Sequence, residues 1–365
     1  INNENKKLYI AENINKIVLK EINFNPGFFT CFNEILNNAS DHYIRTNGLV
    51  KYIKITVEKD HISIQNDGSG IPIKIHKKEK IYIPELIFGN FLTSENYDDT
   101  IERTWGGRNG YGSKLTNVFS KKFIIETADG KKKYTQIFTN NMGEKTKPKI
   151  VKFSKNYTKV TYYPDFEKFD LTEITDEIQS IFLKRAIDIA AYSPGVKVYY
   201  NNNLIPIKTF KDYMKMFIND DSDFFYEKIN DNWEVGISNS QNDMFQQVSM
   251  VNGISTHIGG THVNYITNQI IRLLGDKINT KTLTIKQSVI KNHLFLFLNC
   301  KIPNPSFETQ TKENLTTRMS LSITKDVELS DTFIKKIAYS NIKNDIVNFA
   351  TLKEIQESKK SKKNN

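Results

Sequence analysis

Four polar side chains at helical spacing carry the first hint of chemistry. Wound as a helix, the stretch from Phe32 to Arg45 brings Glu34, Asn38, Asp41 and Arg45 within roughly 60° of one another. Phe28, Phe32, Ile35, Leu36 and Ala39 fall on the opposite side. One face packs; the other presents two carboxylates, an amide and a guanidinium. A carboxylate and a carboxamide one turn apart can serve a single site. The carboxylate of Glu34 can take a proton from water, and the amide oxygen of Asn38 can coordinate a hard cation such as magnesium. The same pattern is also that of an amphipathic surface helix.

Two glycine-rich segments lie downstream. Asn66-Asp-Gly-Ser-Gly70 follows a strand-like run, and its glycines let the backbone turn tightly and approach a flat ligand, with Asn66 able to pair with an exocyclic amine. Gly107-Arg108-Asn109-Gly110-Tyr111-Gly112-Ser113-Lys114 then opens into a short helical pattern at Leu115, Val118 and Phe119. Backbone N–H groups at a glycine-rich loop leading into a helix favour phosphate, and Lys114 adds a point charge. The segment departs from a Walker A loop, because Ser113 rather than lysine follows Gly112. It suits a mobile lid better than a rigid P-loop. Far along the chain, Gln310-Thr311-Lys312 sits in a polar loop from which Lys312 could reach a phosphate, or stay solvated.

The elements that must position these residues read as α+β. Asn25-Pro26-Gly27 signals a turn before the first helix. Lys51–Val57 and His61–Gln65 read as a hairpin, and further strands are expected at 123–128, 134–138, 160–163 and 196–200. Residues 84–99 read as a short helix running into a loop, and 172–192 as a long helix closed by Ser193-Pro194-Gly195. Residues 1–22 are polar and give no element. A domain boundary is expected near 207, with strands at 233–238, 246–251 and 294–298, a helix from Val263 to about Leu274 and a long terminal helix over 331–355. The resulting division is 1–207, 208–355 and a basic, disordered tail at 356–365.

Composition narrows the class. The chain has 365 residues, 38% hydrophobic and 12% aromatic, enough for two or three packed domains and against global disorder. It has no run of 18 apolar residues, so no membrane partner is expected. Cys31 and Cys300 stand far apart without metal spacing, as in a reduced intracellular protein. The net charge of +10 favours a polyanion such as DNA or a nucleotide. It also matches a lysine-rich composition spread over solvated surface.

In this order the motifs resemble the ATPase domain shared by gyrase, heat-shock chaperones, histidine kinases and mismatch-repair proteins. Gln310-Thr311-Lys312 points to one branch, the N-terminal ATPase region of eukaryotic-type type IIA DNA topoisomerases. Leu92–Asp99, Val251–His262 and Asn292–Asn299 support the likeness, which covers roughly residues 8–355. It implies a two-layer α/β sandwich ATPase domain followed by a smaller α+β transducer domain ending in a long helix. ATP and Mg2+ would be the cofactors. Glu34 would be the general base and Asn38 the magnesium ligand, with Asp41 and Arg45 on the same face. Asn66 would meet the adenine amino group, with Gly70 and Thr158 beside it. Ser94 and Asn96 would contact ribose and phosphates, residues Gly107 to Lys114 would close as the lid, and Gln310, Thr311 and Lys312 would come from the transducer, Lys312 to the γ-phosphate. Partners would be double-stranded DNA, through the full-length enzyme, and a second copy of the chain. The location would be the nucleus of a eukaryote, or host cytoplasm or virion for a large DNA virus.

Two departures stand out against that family. Glu95 occupies a position where a second serine is usual, and a carboxylate there must point away from a triphosphate. The relatives also carry an N-terminal strap, expected to be missing here. The cleavage parts are likewise outside the likeness. A kinase- or chaperone-type relative and a non-hydrolysing nucleotide-gated clamp are the competing readings; the Gln-Thr-Lys loop argues against the first and Glu34 against the second.

Overall fold

The computed structural model describes residues 3–46, 48–90, 112–241, 243–309 and 311–363. The chain divides into two compact units, Ile1–Met216 and Phe217–Asn365.

Unit 1 begins where the sequence offers no element. A hairpin of β1 (Glu4–Asn13) and β2 (Lys16–Phe24) pairs Ala11 with Ile17 and Lys6 with Ile22. Its apolar residues are diluted by Lys, Asn and Glu, yet Ile10, Ile22 and Phe24 pack with Ile181 into a small core of their own. Next comes α1 (Pro26–Arg45). Asn25 caps it, its side-chain oxygen accepting from the Phe28 N–H at 2.9 Å, and Pro26 stands in the first turn, where its missing N–H costs nothing.

The hairpin of β3 (Tyr52–Val57) and β4 (Ile62–Asn66) follows, then two short helices, α2 (Ile83–Gly89) and α3 (Gly112–Val118). The remaining elements are β5 (Ser120–Asp129), β6 (Lys132–Thr139), β7 (Glu144–Lys145), β8 (Lys149–Lys152), β9 (Asn156–Pro164), α4 (Asp176–Tyr192), β10 (Lys197–Tyr200), β11 (Asn203–Leu204) and α5 (Phe210–Lys215). The sheet runs β11-β10-β3-β4-β9-β5-β6-β7, with β8 also on β6. Only β10 and β3 run parallel in it, among the described residues. Alternation places Ile53, Ile55, Ile64, Phe123, Val160 and Tyr162 inward and Lys54, Lys122 and Lys159 outward. Over the inner face α1 and α4 meet through Phe32 and Phe182, stacked at 4.0 Å. The helix-on-sheet arrangement is the expected α/β sandwich.

Helix α5 lies in unit 1, which ends at Met216. Two bonds tie it there: the buried Tyr213 hydroxyl donates to Asp188 of α4 at 2.7 Å, and the Ile17 N–H of β2 donates to the Met216 carbonyl at 2.9 Å.

Unit 2 is a smaller α+β layer pair. Its elements are β12 (Phe224–Asn230), β13 (Trp233–Asn239), β14 (Gln246–Val251), β15 (Ile254–Ser255), β16 (Gly259–Gly260), α6 (Thr261–Ile278), α7 (Gln287–Asn292), β17 (Leu294–Cys300), β18 (Asn314–Leu315), α8 (Leu321–Thr324), α9 (Asp331–Ala338) and α10 (Asn341–Lys363). The main sheet is ordered β12-β13-β17-β14-β15. Every residue of β17 is buried, which explains its unbroken apolar run. The terminal helix expected over 331–355 is two helices. Ser340 interrupts it: its hydroxyl donates to the Ile337 carbonyl at 2.7 Å and accepts from the Ile342 N–H at 3.2 Å, replacing helical bonds. The stretch expected as a disordered tail instead continues α10 as far as Lys363, without a Gly or Pro to stop it.

One buried histidine makes unit 2 sensitive to acid. His262, at the start of α6, is wholly buried with its Nε2 3.1 Å from the Thr256 hydroxyl, and burial pushes it down to about 3. The unfolded chain therefore binds a proton between pH 6.5 and 3 that the folded chain refuses, so stability is fully present above pH 6.5 and falls as pH drops through that window. Relative to His262→Gln, the wild-type chain is expected to lose about 2 kcal/mol between pH 7 and pH 5. Urea unfolding of both proteins at the two pH values checks this; parallel losses would show that another group titrates.

Candidate functional site

Along α1 the four-residue stripe does not stay on one open face. Asn38 and Arg45 are exposed, Glu34 is half-buried and Asp41 is buried. Asp41 lies close enough to Arg185 of α4 to favour its charged form, against the burial that pulls the Arg185 pKa down. Arg185 binds the same helix: its Nε donates to Asn33 at 3.0 Å and an Nη to Asn37 at 2.8 Å. Those two asparagines directly precede Glu34 and Asn38. Thus α4 pins the turn that carries both candidate groups, while Asp41 looks toward the pin.

Glu34 points at the beginning of α3. A Cβ on Gly112 would overlap the Glu34 carboxylate and its Cγ, so the absence of a side chain at 112 is what lets that carboxylate lie against the backbone. Helix α3 buries a polar face. Leu115 is exposed, whereas Ser113, Lys114, Thr116 and Asn117 face inward. Its buried face is polar because it bonds carbonyls of neighbouring elements: Thr116 donates to Cys31 at 3.1 Å and Asn117 to Phe88 at 3.0 Å. Lys114, expected as a charge presented to phosphate, is buried, and burial pushes it down to about 8.

A second cluster stands at the ends of β4, β5 and β9. Asn66 is buried, pairs in register with Thr158, and donates to its neighbour's carbonyl, at Asp67, at 2.6 Å. Thr158 shares a 3.0 Å hydroxyl contact with Thr127, which accepts from the Ile71 N–H at 2.8 Å. This ties the glycine-rich turn to the sheet. Gly70, at φ +71°, lies so close to the Ala128 carbonyl that a Cβ would overlap it. Asp67 is structural, accepting from the Lys51 and Tyr52 N–H groups at 2.7 and 3.0 Å. His42 was not singled out from the sequence. It faces the same turn, 3.4 Å from the Ser69 hydroxyl, and burial and then Arg45 hold its pKa down. Its only sequence signal is its place on α1 between Asp41 and Arg45.

Ser94, Asn96, Gly107, Arg108, Asn109, Gly110, Tyr111 and Gln310 lie outside the described residues, as does Glu95. In unit 2, Thr311 is exposed and Lys312 half-buried; Lys312 adopts φ +60°, a left-handed conformation costly for lysine, held by a turn in which its N–H donates to Thr309 at 3.1 Å. Among the described residues no group of three or more His, Cys, Asp or Glu could hold a metal. The donors on α1 are one amide and one carboxylate a turn apart. That set suits magnesium, which keeps waters and takes its other ligands from a substrate's phosphates.

Comparison with known proteins agrees with this arrangement. A family model described as histidine kinase-, DNA gyrase B- and HSP90-like ATPase matches residues 25–165, and one described as DNA gyrase B matches 204–365. The ATPase region of Saccharomyces cerevisiae topoisomerase II superposes with a TM-score of 0.87 at 40% identity, covering 96% of this chain and 93% of that one. The chain belongs to the family of type II topoisomerase ATPase regions. The ATPase and transducer domains of topoisomerase II from Balamuthia mandrillaris give a TM-score of 0.89 at 36% identity, covering 96% and 92%. DNA topoisomerase 2 of Arabidopsis thaliana is 44% identical over 99% of this chain but only 25% of its own length, so this topoisomerase-type chain spans about a quarter of the curated relatives it matches. Gyrase B of Thermus thermophilus, at 18% identity and a TM-score of 0.64, shares the fold.

The two glycines of this ATPase region should respond differently to a methyl group. At Gly112 the obstacle is the end of a flexible side chain, so Gly112→Ala should stay within about 1 kcal/mol of wild type while Glu34 takes a new rotamer. At Gly70 the obstacle is a backbone carbonyl at positive φ, and Gly70→Ala should lose about 1–3 kcal/mol or more. Urea unfolding of both variants, with a crystal structure of the first, tests the contrast. A large loss at Gly112 would mean that α3, not the carboxylate, gives way.

Proposed function

We infer that unit 1 binds and hydrolyses ATP, and that Glu34 is the general base. The observation that carries this is the half-buried Glu34 carboxylate held against the start of α3, one turn from an exposed Asn38. A carboxylate so placed, partly shielded yet still reached by solvent, can accept a proton from water as that water attacks the γ-phosphate. Asn66, Thr158 and the close backbone at Gly70 would meet the adenine ring. Asn38 would hold Mg2+, which would neutralise charge on the phosphates. Arg45, exposed on the same helix, offers a cation to them, and the segment Gly107 to Lys114, with Ser94 and Asn96, would complete the enclosure.

The rest of the reading concerns the whole protein. Residues 1–216 would be the ATP-binding domain and 217 onward the transducer, whose Gln310, Thr311 and Lys312 would report nucleotide state, Lys312 meeting the γ-phosphate. ATP binding would bring two copies together and close a gate on double-stranded DNA; hydrolysis would reopen it for strand passage. This is a switch driven by differential contacts to one phosphate. Breakage of the DNA would fall to parts of the enzyme outside this chain. The activity would sit in the nucleus of a eukaryote.

Steady-state ATP turnover against protein concentration, at saturating magnesium, tests the proposal. Glu34→Gln is expected to lower turnover by about 10²- to 10⁴-fold with nucleotide still bound. Turnover per protomer is expected to rise with concentration. Equal rates in variant and wild type would remove Glu34 from its role; a rate per protomer independent of concentration would leave Glu34 in place but end the two-copy gate for this chain.

A further inference from the structure

The positive charge of unit 1 is concentrated on one sheet edge. Between residues 131 and 159 lie nine lysines against a single acidic residue, Glu144. The topology gathers most of them: β7 and β8 both pair with β6 at the end of the sheet, while β9, which carries Lys159, lies three strands in from that edge. Lys132 stands directly opposite Lys152 across the β6–β8 ladder, and both are exposed. Like charges facing each other on paired strands cost stability rather than add to it. Lys145 has a carboxylate partner, Glu85 at 2.6 Å. Among the described residues, Lys131, Lys147, Lys149, Lys152 and Lys155 make no ion pair, and Lys132 has the Asp129 carboxylate nearby, which accepts from its N–H at 2.9 Å. The fold therefore gathers cations at one end of the sheet, Lys132, Lys149 and Lys152 on the strands and Lys131, Lys147 and Lys155 in the adjoining turns, the complement of a polyanion.

We propose that this edge is a docking surface for the phosphate backbone of duplex DNA, read without regard to sequence. The choice of DNA as occupant rests on the family reading above. Duplex rather than single strand follows from the aromatic side chains of the same sheet. Single strands bind by stacking bases on free rings. Here three of the rings on the face away from α1 already carry the protein's own cations: Lys54 lies 5.0 Å from the Tyr52 ring centre, Lys122 5.5 Å from Tyr163 and Lys133 5.3 Å from Phe153. What this end of the sheet offers a partner is a cluster of ammonium groups, which recognises phosphates and not bases.

The test uses the full chain, a fluorescent duplex of about 30 base pairs, and binding by anisotropy between roughly 50 and 200 mM salt. The variant Lys132→Gln, Lys149→Gln, Lys152→Gln, Lys155→Gln is compared with a control carrying the same charge change in unit 2: Lys281→Gln, Lys286→Gln, Lys325→Gln, Lys336→Gln. The first is expected to bind at least about tenfold more weakly at low salt, with the slope of log affinity against log salt smaller by about 0.9 for each lysine that touches a phosphate. The control is expected to lose far less. DNA-free ATP turnover and melting temperature equal to wild type confirm that the first variant is folded. Unchanged affinity and slope in it, equal losses in both variants, or a single strand of the same length out-competing the duplex would each overturn the proposal. A wild-type chain that binds no duplex would overturn it as well, and would leave the ATP reading to stand or fall on Glu34→Gln.

Discussion

Unit 1 depends on how α1 is held from behind. Taking a guanidinium out of water costs several kcal/mol unless its hydrogen bonds are replaced. Arg185 recovers part of that cost from the Asn33 and Asn37 side chains and part from Asp188, 3.7 Å away, which in turn is bonded by Lys184 at 2.9 Å and by Tyr213. The exchange locks one turn of α1 against α4 and α5. Apolar packing alone, such as the Phe32–Phe182 stack, would hold the helix against the sheet while leaving it free to slide or roll. Directional bonds at positions 33 and 37 set its rotation, and rotation decides whether Glu34 meets the backbone at Gly112.

Much of this was legible in the sequence because it follows from periodicity. The spacing of Phe28, Phe32, Ile35 and Leu36 defines the inner face of α1, and alternation marks β3, β4, β6 and β13 closely. What stayed hidden has particular causes. The β1–β2 hairpin spreads its few apolar residues among lysines and asparagines, so its burial is visible only once Ile181 and Phe29 are beside it. In helix α3 hydrophobic periodicity marks Leu115, Val118 and Phe119 but does not say which face packs; here the neighbours offer carbonyl oxygens, and Thr116 and Asn117 go in. Asp41 shares its helical angle with Asn38 and Arg45, but a helix wheel carries no information about Arg185 on another element. Ser340 breaks the terminal helix through two local side-chain bonds that no pattern of apolar residues records.

Charge shows the same division between composition and topology. A net charge of +10 says only that the chain as a whole is basic. Strand pairing gathers a lysine-rich stretch at one end of a sheet, while Lys54, Lys122 and Lys133 are folded down onto rings. Lysines of the same kind thus end in two physical states, some spent on aromatic faces and some left facing solvent.

The two native thiols carry a practical consequence. Cys31 lies on the buried face of α1, its pKa pushed up to about 12 chiefly by burial, and Cys300 is sealed in β17 with its pKa raised by burial too. Alkylating reagents attack the thiolate, and here that species is both scarce and out of reach. To a maleimide the folded chain therefore behaves as if it had no cysteine. A single cysteine introduced on an exposed strand can carry a dye or spin label at one known position, and distances within either unit can be followed without first rebuilding the core to remove its own sulfur.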